Sequence, residues 1–409
     1  MFAQPTLTIC VPSRNRQRYF QETIRSLLVN LRTDVEFVFA DNSDDPAPMR
    51  DFMVDVIGDP RVKFIPPGER VYSMVDNWER CLEAATGEFV CVIGDDDYAD
   101  VDVIDLINKT KAERGSVDVF VWSRFTYNWP GNRRNKCNVC IPLGTGVHEV
   151  KREWLYEEFF TWKQHSSTPN CPFAIYHGAI SKKMMDKIKA KFGGRYFEHP
   201  TVDFENSCKL LVTAKTFFYS ERPFSILGSC AESNSASIGD LEDMRRKQVV
   251  FMQELGRNMD EDPHMADFPF PSSLGVSACV AQVQNWFKQT YGYHVSGWEK
   301  YFAEACGYSC GTAQNQAYYE ISVAGYEAAF RKWKGGKYLQ YFKPKYVSAE
   351  GAKFFHGVQN NALFIDEDIG GVQTPAELYH LVDQIVAPIG DLEFRFLKDS
   401  AAGKKVASL

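Results

Sequence analysis

The sequence predicts an α/β fold with a mixed, mostly parallel sheet and helices on both faces over residues 1–238, then a mainly α-helical C-terminal domain over 239–409. Three observations carry this. Short apolar runs alternate with stretches of helical periodicity through the first half; the apolar runs end in polar, turn-rich clusters; and past Gly239 long segments of helical spacing and dense aromatics take over.

Leu7 to Val11, closed by Pro12, reads as a buried strand, and Phe20, Ile24, Leu27, Leu28 and Leu31 follow at helical spacing. Val35 to Ala40 is a second strand that ends in Asp41-Asn42-Ser43-Asp44-Asp45-Pro46, and Val62 to Ile65 a third. Ser73-Met74-Val75-Asp76 fits a helix start, with Met74, Trp78, Leu82 and Ala85 on one apolar face and a stop at Gly87. Phe89 to Ile93 is a strongly apolar strand running straight into Gly94-Asp95-Asp96-Asp97, and Val117 to Trp122 is another. Asn128 to Pro172, richer in Gly, Pro, Asn and Cys, reads as loops and an irregular insertion. Order returns at Ala174 to Ser181 and in the helix after it. Leu241 to Arg257 and Val276 to Thr290 read as helices of the second domain.

With 46 Lys and Arg against 53 Asp and Glu, the net charge of −7 does not suit global coating of nucleic acid or anionic membrane. The 11 Cys, odd in number and mostly inside apolar runs, fit reduced thiols better than a secreted disulfide framework. No apolar run reaches the ~18 residues that span a bilayer, and Met1 to Pro12 carries no signal-peptide pattern. The expectation is a cytoplasmic protein, or one peripheral to a membrane.

The sharpest chemical signal is the carboxylate triplet at a strand end, where open α/β sheets bind ligands. Adjacent carboxylates repel unless a cation sits among them. Mn²⁺ or Mg²⁺, hard ions that bridge pyrophosphate, would fill that role. The bland alternative is an acidic turn capping the next helix. Asp41, at the end of the second strand, is placed to accept a base ring N–H, with an Asx turn as its alternative. Asp203, in His199-Pro200-Thr201-Val202-Asp203-Phe204-Glu205-Asn206, suits a general base at a helix start, or a plain N-cap.

As an ordered set, these residues resemble glycosyltransferase family 2. Pro12-Ser13-Arg14-Asn15-Arg16 is similar to the family's first-strand Pro-Thr-Tyr-Asn-Arg, and Asp41-Asn42-Ser43 to its Asp-Asn/Asp-Gly-Ser turn. Asp76-Asn77-Trp78-Glu79-Arg80 with Ala84 to Val90 resembles the helix and strand before the DxD motif, which Asp95-Asp96-Asp97 resembles in turn. His177 to Ser181 is similar to the acceptor-side strand, and Val202 to Glu205 to the Glu-Asp-Tyr-Glu base motif. The resemblance spans about residues 5 to 235. It implies the GT-A fold and an inverting, metal-dependent transfer of a sugar from a nucleoside diphosphate sugar, UDP-sugar favoured. The acceptor would be a hydroxyl of a glycan or lipid-linked saccharide. By the same resemblance Asp41 meets the base and Asp95 the ribose, while Asp97 with Asp95 binds the metal. Pro12, Ser13, Arg14, Asn77 and Asp96 join the donor site, and Asp203 is the base with Glu205 as fallback. Two departures stand out. Arg14 replaces the usual Tyr, and a guanidinium there stacks or meets a phosphate; Val202 replaces the usual Glu before Asp203.

Arg222 to Asp240, with Gly228-Ser229-Cys230-Ala231-Glu232-Ser233-Asn234-Ser235, suits a mobile lid over the donor phosphates or an interdomain linker. Cys137-Asn138-Val139-Cys140 has half of a zinc spacing, with His148 an unconvincing partner. Arg331 to Lys345 interleaves basic and aromatic residues, a texture for nucleic acid, a polyprenyl phosphate or an anionic glycan that more often marks a solvated face. His177 and His199 are expected to be structural. The aromatics from Trp286 to Tyr326 fit helical-core packing, and the C-terminal domain would shape the acceptor site or an oligomer interface. The rival functions are a glycosyltransferase acting on a hydroxylated DNA base, a nucleotidyltransferase, and a non-catalytic sugar-nucleotide binding module.

Overall fold

The computed structural model describes residues 4–132, 138–163, 168–170, 173–233, 241–347 and 355–396. Strands β1 (Leu7–Ser13) and β2 (Val35–Asp41) are buried at every position, as befits strands covered on both faces. Helix α1 (Gln17–Leu28) lays Phe20, Ile24 and Leu27 against them. After α2 (Ala47–Met53) and β3 (Val62–Ile65) comes α3 (Met74–Ala84), whose start is fixed by Ser73 Oγ accepting the N–H of Asp76. β4 (Phe89–Val92) leads through the acidic triplet to β5 (Tyr98–Ala99) and α4 (Val103–Arg114). Next are β6 (Val119–Asn128), β7 (Asn138–Pro142), β8 (Gly146–Glu149), α5 (Arg152–Thr161), β9 (Gly178–Ser181) and α6 (Lys182–Lys191). α7 (Val202–Leu211) and β10 (Phe217–Ser229) end the first 238 residues. The remainder holds α8 (Leu241–Leu255), α9 (Val276–Tyr291), α10 (Glu299–Gly311), α11 (Gln316–Lys332), β11 (Gly357–Gln359), β12 (Ala362–Asp366), α12 (Pro375–Asp383) and β13 (Glu393–Phe396).

The main sheet runs β13-β8-β10-β6-β9-β4-β1-β2-β3, with β5 paired to β10. The β4-β1-β2-β3 half is parallel, and β9 is antiparallel to both β4 and β6. This is the mixed, mostly parallel, GT-A-like sheet the sequence predicts. One face buries Phe20, Phe37, Phe39, Ile104 and Phe120. The other shares a single continuous core with the helices of residues 259–342. Among the described residues, no helix is long and apolar enough to cross a membrane.

Three features differ from the sequence expectation. Asn128 to Pro172 is not merely irregular. α5 escaped notice because Leu155, Glu158, Phe159 and Phe160 bury different sides and leave no amphipathic stripe. Arg222 to Ser229 belongs to a strand, β10, whose alternation is broken by register shifts around Pro223. And the chain past residue 239 is not helical throughout. β13 pairs with β8 and β12 with β7, while Arg222 in β10 ion-pairs with Asp383 of α12, so the C-terminal segment returns to the first sheet.

β10 approaches the acidic triplet so closely that a Cβ on Gly228 would lie 1.6 Å from the Asp96 carbonyl oxygen. Gly228→Ala is expected to cost about 3 kcal/mol of unfolding free energy, read by urea denaturation. A cost below about 1 kcal/mol would contradict this packing.

Candidate active site

The triplet sits in the turn between β4 and β5, and all three carboxylates are buried. The turn itself is pinned: Thr23 Oγ1 donates to the backbone oxygens of Asp95 and Asp97, and Trp129 Nε1 to that of Asp96. The side chains have different partners. Asp95 Oδ2 accepts from Ser13 Oγ at 2.6 Å, and its Oδ1 faces Arg16 Nη2 at 2.8 Å without an aligned hydrogen bond. Asp96 Oδ1 also faces Arg16, at 3.4 Å, while its Oδ2 accepts from Cys230 N and Ser233 Oγ.

Asp97 is fully occupied. Its Oδ1 accepts the Gly228 N–H at 2.7 Å, and its Oδ2 takes the Gly94 N–H, the Tyr176 hydroxyl and His177 Nε2 at 2.6, 2.8 and 2.8 Å. The proton order follows from the next links. The Asp97 carboxylate only accepts, so His177 Nε2 carries the proton, and Nδ1 of the neutral ring accepts from Ser225 Oγ, which itself accepts the Trp122 Nε1–H. His177 holds this place with φ 55°, a left-handed conformation few non-glycine residues adopt. Its structural role agrees with expectation.

Electrostatics separate the three acids. Burial pushes Asp95 up to about 7, against the pull of Arg16 and with the push of Asp96. Burial and the neighbouring Asp97 raise Asp96, again against Arg16. For Asp97 burial acts upward too, but His177, Tyr176 and the Gly94 N–H outweigh it and hold the carboxyl below its ordinary value.

Asp41 is buried at the end of β2. Its Oδ1 accepts the Ser43 N–H, so the Asx turn exists, but its Oδ2 has no partner. The next two residues, Asn42 and Ser43, line a cleft of about 450 Å³ together with Phe64, Pro66 and Arg70. Asn42 clamps the backbone of Tyr72, and Arg80 lies over the Tyr72 ring while binding Asn77 Oδ1 and the Asp41 carbonyl. Asn77 in turn donates to the Ser13 carbonyl, which follows Pro12 in β1. Arg14 pairs with Glu254 of α8 and with Asp44, rather than stacking on a ring.

Asp203 and Glu205 share the first turn of α7 but not a setting. Glu205 is enclosed: it accepts the N–H groups of Glu198 and His199 and pairs with buried Lys209 at 2.6 Å. Asp203 is half-buried, with one oxygen on the Phe204 N–H. It lines a small pocket with Arg124, Asn170, Tyr176, Phe204 and Ser207. Burial raises its pKa, while the Phe204 N–H and Arg124 pull it down. Tyr176 joins the two halves of the site, because its hydroxyl binds Asp97 and its side chain lines the Asp203 pocket.

Sequence reasoning missed Arg16 as the cation of the triplet, although it stands in the matched first-strand block. It also missed Gly228, Cys230 and Ser233 as groups that bind the carboxylates. The lid expected over Arg222 to Asp240 includes residues 234–240, which lie outside the described residues, as does Cys137 of the zinc half-site. Among the described residues no group of three or more His, Cys, Asp or Glu side chains is arranged to hold a metal.

Residues 8–188 match glycosyl transferase family 2. The chain is also similar to solved structures of S. aureus TarS residues 1–349, at 15% identity over 82% of this chain and 89% of that one, with a TM-score of 0.41. The same protein in complex with UDP-GlcNAc is similar at 15% identity and the same coverage, with a TM-score of 0.44. No curated protein sequence matches.

The raised Asp95 pKa has a consequence for stability. The folded chain holds this proton more tightly than the unfolded one. Asp95 therefore favours folding below about pH 4 and loses that contribution as pH rises through about 7. Asp95→Asn is expected to gain stability relative to the native protein across that window, measured as the difference in thermal midpoint. A difference independent of pH would contradict the assignment.

Proposed function

We propose that this chain, whose residues 8–188 match glycosyl transferase family 2, moves a sugar from a UDP-sugar to a hydroxyl acceptor with inversion. The observation that carries this is the Asp203 pocket joined through Tyr176 to the acidic triplet. The unpaired, buried Asp41 Oδ2, whose chain neighbours Asn42 and Ser43 line the 450 Å³ cleft, supports a base with a ring N–H to donate. Uracil has one and adenine has none. Ser13, Asn77 and Pro12 shape the floor between base and triplet, and Arg14, fixed by Glu254, borders it.

In this reading Asp203 takes the acceptor hydroxyl proton, and the acceptor oxygen bonds to the anomeric carbon. The bond from that carbon to the diphosphate oxygen breaks, and its electron pair leaves with the nucleoside diphosphate. Glu205 is a poor substitute, since Lys209 and two backbone N–H groups already fill its oxygens.

The donor set fits a divalent ion held by Asp95 and Asp96. Their Oδ1 atoms converge on one cation, Arg16. Two carboxylate oxygens together with substrate phosphate are what Mn²⁺ or Mg²⁺ commonly takes. Asp97 is the less favoured ligand in this reading, since its Oδ2 already accepts three hydrogen bonds and its Oδ1 one. Bound there, such an ion would stabilise the charge of the leaving diphosphate.

The described cysteines are all free, which supports a reducing, cytoplasmic setting. Arg331 to Lys345 gives no support to nucleic-acid binding. Trp333 and Phe342 are core residues, and Arg331 and Lys334 are paired with Glu327 and Glu299. An acceptor role for the helical region is supported by the packing of α9 against α7.

A thermal-shift screen of nucleotide-sugars tests the donor. UDP-sugars should stabilise the protein, more so with Mn²⁺, and Asp96→Asn should abolish the Mn²⁺-dependent part. Asp97→Asn should instead lower the thermal midpoint of the free protein; an unaltered midpoint with the Mn²⁺ effect gone would return the metal to Asp97. Asp203→Asn should keep donor binding and cut transfer by about a thousandfold. Normal turnover would move the base elsewhere.

A further inference from the structure

Arg124 lies on β6, and its side chain lines the Asp203 pocket with Asn170, Tyr176, Phe204 and Ser207. Among the described residues its guanidinium forms no ion pair and no hydrogen bond. Burial lowers its pKa, opposed by the field of Tyr176, Asp203 and Asp97. The donors of this half-buried guanidinium open onto the pocket, and a single nearby carboxylate out of contact does not meet a planar fork of five N–H groups. The neighbouring cation behaves differently: Arg16 is spent on Asp95 and Asp96. Tyr176 separates the two, since its hydroxyl is committed to Asp97 on the donor side. The space beside Arg124 is about 40 Å³, room for a group of a few heavy atoms.

We propose that Arg124 is the anion-recognition residue of the acceptor subsite. The acceptor carries an oxyanion, phosphate or carboxylate, next to the hydroxyl that Asp203 deprotonates. This rests on the reading of Asp203 as the base. A forked guanidinium suits either oxyanion through paired N–H···O bonds. It also fixes the acceptor at a set distance from Asp203, so an acceptor without the anion is held less tightly and in more orientations.

The test is titration calorimetry on the full chain, first with UDP alone and then with UDP saturating the donor site. Glycerol 3-phosphate, glycerate and glycerol are the probes. Both anions, or the phosphate alone, should bind at least tenfold more tightly than glycerol, and the pattern tells the two oxyanions apart. Arg124→Gln should weaken anion binding at least tenfold, and Arg124→Lys should retain part of it. Anions that bind no better than glycerol would overturn the proposal on the native protein alone, whatever the variants' folding. So would unchanged anion affinity in a folded Arg124→Gln. A failure of UDP to bind, with Arg124-dependent anion binding intact, would instead sink the donor reading and leave the anion site standing.

Discussion

Three consecutive carboxylates buried at one strand end set the terms for everything around them. Placing such charges out of water costs several kcal/mol each unless they are paired and hydrogen-bonded. The chain meets that cost from distant segments: Ser13 at the end of β1 and Arg16 just after it, Tyr176 and His177 before β9, Gly228 of β10, and Cys230 and Ser233 just beyond that strand. The site is thus assembled by satisfaction of these acids, and their partners divide among them. Asp97 is locked to the fold. Asp95 and Asp96 keep one oxygen each toward a cation.

Helix α7, which carries Asp203, is held from behind in the same way. Lys209, buried in α7, binds Glu205 and Glu198, and Tyr291 of α9 also reaches Glu198. Gln284 of α9 joins Trp162 to the Phe159 carbonyl. At the far edge, Tyr379 of α12 binds Asp100, whose pKa burial pushes up to about 6. The helical region is therefore a buttress for α7 that shares its core, and α12 closes the sheet near β5. Under the proposal that Asp203 is the base, a rigid α7 matters because general-base catalysis depends on close placement.

Much of this was legible in order along the chain. The parallel β1–β4 half and the helices between follow from apolar runs and spacing, and the Ser73 cap from a local pattern. The triplet, Asp41 and Asp203 stand at strand ends or helix starts where the alternation places them. What stayed hidden depends on contacts between distant residues. Whether Asp96 or Asp97 faces the cation turns on His177, 80 residues away, and on Gly228, 131 residues away. β10 was masked by Pro223 and its bulge, and α5 by burial on several sides. Arg124 gave no local signal, because an isolated Arg in a strand looks like any edge charge until its surroundings are known.

The division of the triplet is tested most directly by a crystal structure of the protein with UDP and Mn²⁺, with the metal located by its anomalous scattering. The account predicts Mn²⁺ bonded to Asp95 or Asp96 and to diphosphate oxygen, with Asp97 still on His177 and the Gly228 N–H. Mn²⁺ bonded to Asp97, with His177 released, would contradict it.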